Sequence, residues 1–203
     1  MILAIESGGE FVSVALGIPS SCSAVTINTP RNSEELLLAI DFLKERAAEP
    51  ISKIGVCIGP GSYTGLRVGL ALAQGMSVGL DLPLVGVSSF LADIYSRDQF
   101  GDGIAESTFR LRENERALSK FEIKAHGKEI VQLGVSEILE GEAEYFKGAA
   151  KGVLRAVGLI EKVSSSEPSG GEVHWIKSFG TEPMGLMYLK GVQAKTLVER
   201  GVV

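Results

Sequence analysis

Gly59-Pro60-Gly61-Ser62-Tyr63-Thr64-Gly65-Leu66-Arg67-Val68-Gly69 follows a short apolar run, Ile54 to Ile58, and opens a helix-length segment rich in small residues. A strand, a glycine turn and a helix N-terminus in that order present backbone N–H groups to something. That something is either a phosphate or another protein. Spacing excludes the standard phosphate loops. A Walker A loop needs G-x-x-x-x-G-K-[ST], but Gly59 and Gly65 stand one residue too far apart and Leu66 replaces the lysine. A dinucleotide fingerprint needs a third glycine where Thr64 stands and an acidic residue ending the next strand, which instead ends Gly86-Val87. A G-x-S-x-G elbow is absent, because two residues separate Ser62 from Gly65.

The helix behind the turn carries Gly65, Gly69, Ala73, Gly75 and Gly79. Each interior glycine costs about 0.5–1 kcal/mol relative to alanine. Close approach of another backbone is the usual compensation. Gly65, Gly69, Leu72 and Met76 share one face, and Val68, Ala71, Gly75 and Val78 share another. One face can pack on the sheet while the second accepts a partner helix. Packing of both faces within the chain is the alternative.

Outward from this segment, residues 2–6 and 11–17 are apolar runs joined by Ser7-Gly8-Gly9-Glu10, the pattern of a hairpin. A third run spans Cys22 to Ile27. Asn32-Ser33-Glu34-Glu35 has the form of a capping box, launching a helix with Leu36, Leu37, Ile40, Leu43 and Ala47 at helical spacing. After the helix at 65–79 come a strand, Leu84–Val87, and a helix capped by Ser88 or Ser89 and running to about Ser96. Three hairpin-type strands followed by alternating helix and strand predict an α/β mixed sheet with crossover helices, the order of a ribonuclease-H-like lobe.

Gly101-Asp102-Gly103 marks a boundary, giving an N-terminal lobe at 1–98 and a divergent C-terminal lobe at 99–203, whose last helix or tail could return to the first. Strands are expected near Ile104–Leu111, Leu118–Ile123 and Val173–Ile176, a helix over Tyr145–Ile160, and a loop over Ser164–Gly171.

The net charge of −5 argues against a generally basic nucleic-acid surface. The run Arg110, Arg112, Arg116, Lys120, Lys124, interleaved with Glu113, Glu115 and Glu122, fits a solvated strand face. His126 and His174 belong to no H-x-x-x-H or H-E-x-x-H pair, so no two-histidine helical metal site is expected. Cys22 and Cys57 lack C-x-x-C spacing and read as reduced thiols. Met1–Ile5 reaches Glu6 without a basic n-region or long apolar core, and Leu66–Leu84 is interrupted by Arg67, Gln74, Asp81 and Pro83. A soluble cytoplasmic chain with no membrane association is the expectation. Glu6, ending the first strand where actin-like phosphotransferases place a catalytic Asp, and Ser62 and Thr64 in the turn are the candidate nucleotide contacts. No cofactor is otherwise implied.

The Gly59–Gly69 segment, with Pro83-Leu84-Val85-Gly86-Val87-Ser88-Ser89 downstream, closely resembles the bacterial TsaB (YeaZ) family. Met1–Ile5 and Ser33-Glu34-Glu35-Leu36-Leu37 resemble its opening strand and first helix. Glu182-Pro183 and Tyr188-Leu189-Lys190 are similar to its ending, with extra residues between. The resemblance covers residues 1–95 well and 100–180 poorly. It implies a two-lobed actin-like fold and a non-catalytic role. The family's protein pairs with TsaD, which transfers a threonylcarbamoyl group onto a tRNA adenosine. The ATPase TsaE completes the assembly, and homodimers form without TsaD. On that basis the partner interface is expected along helix 65–79, with Gly69, Leu72 and Met76 at its centre, Arg67 at its rim, and Tyr63, Gly65 and Ala73 beside them. Contact with tRNA is expected to be indirect. Family members usually carry Asp-Thr-Ser where this chain has Glu6-Ser7-Gly8, and His where Asn32 stands, changes that favour a scaffold over an enzyme. The alternative is an ATPase- or kinase-like protein binding nucleotide at the Gly59–Thr64 turn.

Overall fold

A computed structural model describes residues 1–28, 33–97, 101–112, 114–141, 143, 150–165 and 176–178. The chain begins with three antiparallel strands, β1 (Ile2–Glu6), β2 (Val12–Ile18) and β3 (Ser21–Ile27). Helix α1 (Ser33–Lys44) leads to β4 (Lys53–Gly59), α2 (Tyr63–Leu80), β5 (Leu84–Ser88) and α3 (Ser89–Ser96). Strands β4 and β5 run parallel to β1, so the two helices α1 and α2 are crossovers. The expected mixed sheet is therefore present, in the order β10-β5-β4-β1-β2-β3, its outermost strand β10 (Ile176–Ser178) pairing antiparallel with β5.

Strand alternation decides what each face of this sheet buries. Leu3, Ile5, Val14, Val56 and Ile58 point to one side, where Leu36, Ile40 and Leu43 of α1 and Leu70 and Ala73 of α2 cover them. Ala4, Ala15 and Cys57 point to the other side, against Phe90, Leu91 and Ile94 of α3. Acidic Glu34 and Glu35 in the first turn of α1 and Lys44 in its last complement the helix dipole. Asn32, the expected cap of α1, lies outside the described residues. Ser88 caps α3 by accepting from the Leu91 N–H at 3.2 Å.

The second sheet runs β6 (Gly103–Arg112), β7 (Glu115–Lys124), β8 (Glu129–Glu140) and β9 (Lys162–Ser165), with helix α4 (Ala150–Leu159) between the last two strands. Strands β6 and β7 fall where alternation predicted them. Strand β8 was not expected. Its buried positions include Gln132, a polar side chain where period-two reading looks for an apolar one. Ser164 and Ser165, read as loop by composition, end β9 and pair with Val131 and Gln132, so a backbone ladder overrides turn propensity there. Of the helix expected over Tyr145–Ile160, the structure describes Ala150–Leu159. Residues 166–171, 173–175 and the tail bearing Glu182-Pro183 and Tyr188 lie outside the described residues.

Helices α3 and α4 form a middle layer between the sheets. Val153, Leu154 and Val157 of α4 share one core with Phe90 and Tyr95 of α3 and with Phe109, Phe121 and Ile130 of the second sheet. The Phe90 and Phe109 rings stand 4.9 Å apart, and Tyr95 Oη donates to the Gly127 carbonyl. The first N–H of α4, at Ala150, donates to Ser13 Oγ on β2 at 2.8 Å.

α3 and α4 cross at Gly152, where an added Cβ would collide with the Ala92 carbonyl oxygen and Ser96 Oγ. Gly152→Ala is expected to lower stability by about 2–3 kcal/mol, read as a lower urea midpoint at unchanged m-value.

Candidate functional site

Strands β1, β4 and β5 all end at the same edge, where three turns meet: Ser7–Phe11, Gly59–Ser62 and Ser88. Gly59 adopts φ 100°, a conformation that glycine alone takes readily, and the Gly59–Pro60 bond is cis. Ser62 then caps α2, its Oγ facing the Gly65 N–H at 3.5 Å. The helix starts at Tyr63, two residues before the expected start.

Two backbone donors at the turn, those of Ser62 and Gly65, are engaged inside the chain. The Ser62 N–H donates to the Gly8 carbonyl at 2.8 Å, and the Leu66 N–H to the Ser62 carbonyl at 2.9 Å. Ser7 Oγ donates to the Gly65 carbonyl at 2.8 Å. An added Cβ at Gly61 would stand 2.7 Å from the Gly8 oxygen, and one at Gly65 or Gly69 would collide with Ser7. The β1–β2 hairpin is thus seated on the start of α2 by direct backbone contact.

Glu6 is fully buried under this hairpin. Its Oε1 accepts from the Gly8 and Gly9 N–H groups at 2.7 and 3.0 Å, while Oε2 has no hydrogen-bond partner. Burial outweighs the two hydrogen bonds and pushes the carboxyl up to about 7 from its ordinary 4.5. Beside it the Cys57 thiol, 3.1 Å from Ser89 Oγ, is pushed up to about 12, mainly by burial and then by the charge of Glu6. Cys22 and Cys57 are both free.

The candidate nucleotide contacts therefore do not converge on an open site: Glu6 is sealed, Ser62 is a helix cap, and Thr64 is exposed. The interface candidates also divide. Gly65, Gly69 and Ala73 are buried against the chain's own hairpin and sheet, and Leu72 and Met76 pack at the margin of the same core. Of the centre expected at Gly69, Leu72 and Met76, Gly69 meets Ser7 inside the chain, while Leu72 and Met76 stay half-buried beside the core. Tyr63 and Arg67 are exposed, with the guanidinium 4.7 Å from the Tyr63 ring centroid. The exposed stripe of α2 is the other one: Ala71, Gly75, Val78 and Gly79, with nothing within 4 Å of an added Cβ at Gly75 or Gly79.

On the second face of α2, Val78 is 80% exposed. One feature escaped the sequence reading: on α1 Leu38 is 69% exposed beside Phe42, whose ring carries Arg46 at 3.8 Å. Leu38 and Phe42 are spaced i, i+4 on the side of α1 opposite Leu36 and Ile40, a signal readable from the sequence. Among the described residues no group of three His, Cys, Asp or Glu side chains is placed to hold a metal ion, and no helix is long and apolar enough to cross a membrane. His126 lies in the β7–β8 turn, its N–H donating to Asp102, and His174 lies outside the described residues.

A mixed sheet opening with three antiparallel strands and continuing through parallel crossovers defines an actin-like, ribonuclease-H-like α/β protein. A family model described as TsaD, tRNA N6-adenosine threonylcarbamoyltransferase, matches residues 28–104. The tRNA threonylcarbamoyladenosine biosynthesis protein TsaB of Escherichia coli (strain K12) is 35% identical over 94 residues, covering 44% of this chain and 41% of that protein. TsaB of Bacillus subtilis (strain 168) is 32% identical over 119 residues, covering 56% and 52%. Among solved structures, YeaZ from Pseudomonas aeruginosa shares the fold with a TM-score of 0.58 at 24% identity, over 68% of this chain and 67% of that one. The chain is similar to these TsaB (YeaZ) proteins, and it spans about half the length of the curated relatives it matches.

Substitutions separate the two stripes of α2. Gly69→Ala is expected to destabilise by about 2 kcal/mol or more through the clash with Ser7, and Gly75→Ala to stabilise by about 0.5–1 kcal/mol. Thermal unfolding of the pair checks the assignment. Glu6 gives a pH signature: its stabilising contribution is complete below pH 4.5 and is lost as pH rises to about 7, on the order of 3 kcal/mol in all. Glu6→Gln should remove that slope from urea titrations run across the same interval.

Proposed function

We propose that this chain is a non-catalytic scaffold subunit in tRNA threonylcarbamoyladenosine synthesis, docking on a TsaD-type transferase through the exposed stripe of α2. The family likeness supplies the reaction, since the relatives' names assign that biosynthesis to them. The observation that carries the docking surface is the uncovered strip Arg67, Ala71, Gly75, Val78 and Gly79, where small residues leave room for a second backbone. Leu38 and Phe42 on α1, a helix on the same side of the sheet, are exposed as well. In this reading the two glycine stripes have separate tasks. Gly65 and Gly69 fix the helix to its own hairpin, and Gly75 and Gly79 admit the partner.

The same stripe serves a homodimer when the transferase is absent, TsaE joins the full assembly, and tRNA contacts this subunit only indirectly. The reading places the protein in the cytoplasm and keeps residues 1–98 and 99–203 as its two lobes. Against an ATPase- or kinase-like role stand the internal partners of the Ser62 and Leu66 N–H groups and the buried position of Glu6.

Co-purification with TsaD tests the proposal. Gly75→Arg and Val78→Asp, both at exposed positions, should abolish capture while the chain stays folded, Gly75→Arg melting no lower than the parent; retention of the complex by both variants overturns the interface. Titration with ATP and magnesium separates the enzymatic alternative. No binding heat is expected, and micromolar affinity for the isolated chain would favour the nucleotide reading.

A further inference from the structure

We propose that Glu6 is a proton-operated latch: its protonated form holds the β1–β2 hairpin on the first turn of α2, and its ionisation loosens that seat. This goes beyond the docking role and does not depend on what binds α2. Oε1 already takes two N–H donors, from Gly8 and Gly9, whereas Oε2 is buried with none. A neutral carboxyl tolerates that position far better than an anion does. An anion requires a donor at Oε2, and none stands there among the described residues.

The loop cannot move alone. Gly8 sits against Leu66, whose Cδ2 would be 2.5 Å from an added Cβ, and its carbonyl accepts from the Ser62 N–H at 2.8 Å. Ser7, between Glu6 and Gly8, is tied to the Gly65 carbonyl at 2.8 Å. A displacement that relieves Glu6 therefore pulls on Ser62 and Gly65, the cap and the first turn of α2. Tyr63 and Arg67 are carried on that turn.

Neighbouring charges do not substitute for the proton. From β4 the facing titratable group is the Cys57 thiol, itself neutral. On α3, Asp93 is engaged by Arg97 and Ser107, and on α4 Arg155 donates to the carbonyls of Tyr95 and Arg97. On β2 the residue opposite Glu6 is Ser13, whose Oγ accepts from Ala150. Arg67 of α2 lies over Tyr63 on the surface. Among the described residues no ion pair reaches the Glu6 carboxyl. Burial shifts its titration to about 7, within reach of ordinary cellular pH.

The test is an amide-correlation titration of the isotope-labelled full chain from about pH 5 to about pH 9, following the Glu6 carboxyl carbon together with the Gly8, Gly9, Ser62 and Gly65 amides. One shared midpoint is expected. Hydrogen-exchange protection at Ser62 should fall about tenfold beyond the intrinsic base-catalysed change. Glu6→Gln should hold the low-pH spectrum throughout. Titration confined to Gly8 and Gly9, with Ser62 and Gly65 unmoved, overturns the latch, as does a carboxyl that stays in one protonation state across the range. Should Glu6→Gln not fold, the wild-type Ser62 and Gly65 amides decide the matter on their own.

Discussion

Ser7 against the bare backbone of α2 at Gly65 and Gly69 is the contact on which the N-terminal half depends. It fixes the distance between the β1–β2 hairpin and the helix to that of two backbones in contact, which no residue with a side chain permits. The rest follows from that spacing. The hairpin comes within reach of the Ser62 N–H, Leu66 fills the space beside Gly8, and Glu6 is shut beneath. With α2 held at its start, its inner face carries Leu70 and Ala73 onto the sheet, while Ala71, Gly75 and Val78 turn outward. The Ser62 N–H of a turn shaped like an anion cradle is thus engaged by the chain itself, and the helix behind it divides its small residues between an inner and an outer stripe.

The second organising element is the helical layer shared by the two sheets. Most of the apolar residues of α3 and α4 join one cluster with both. Hydrogen bonds add direction to that burial, from Tyr95 to the β7–β8 turn and from Arg155 to the carbonyls closing α3. Phe90 on Phe109 is part of the same join.

Much of the first sheet was legible because each element carried its own local signal. Apolar runs marked β1 and β2, Ser88 or Ser89 marked the start of α3, and Leu36, Ile40 and Leu43 marked the inner face of α1. The side of α2 that would face inward was not legible. Both stripes carry small residues, and the choice between them is made by Ser7, 58 positions earlier in the chain. Nor could composition reveal that Glu6 is buried, since the groups closing over it come from distant turns and helices. β8 escaped because Gln132 interrupts its apolar alternation and is satisfied only in the folded sheet, and β9 because serines are poor strand formers without a ladder to join. The exposed pair Leu38 and Phe42 was readable but was absorbed into a general apolar pattern.

The covering of β1 and β2 by α4 has a consequence for how the molecule is made. Ala4, Ala15 and Cys57 share a core with Val153, Leu154 and Val157, which leave the ribosome roughly a hundred residues or more after the strands they protect. Until then one side of the nascent sheet is only partly roofed, by α3. The Ala150–Ser13 bond, joining residues 137 positions apart, cannot form before that late helix arrives. The protein therefore completes its oldest strands last. Contacts of such sequence separation make folding slow for a chain of this size and leave an apolar surface open to other nascent chains in the interval.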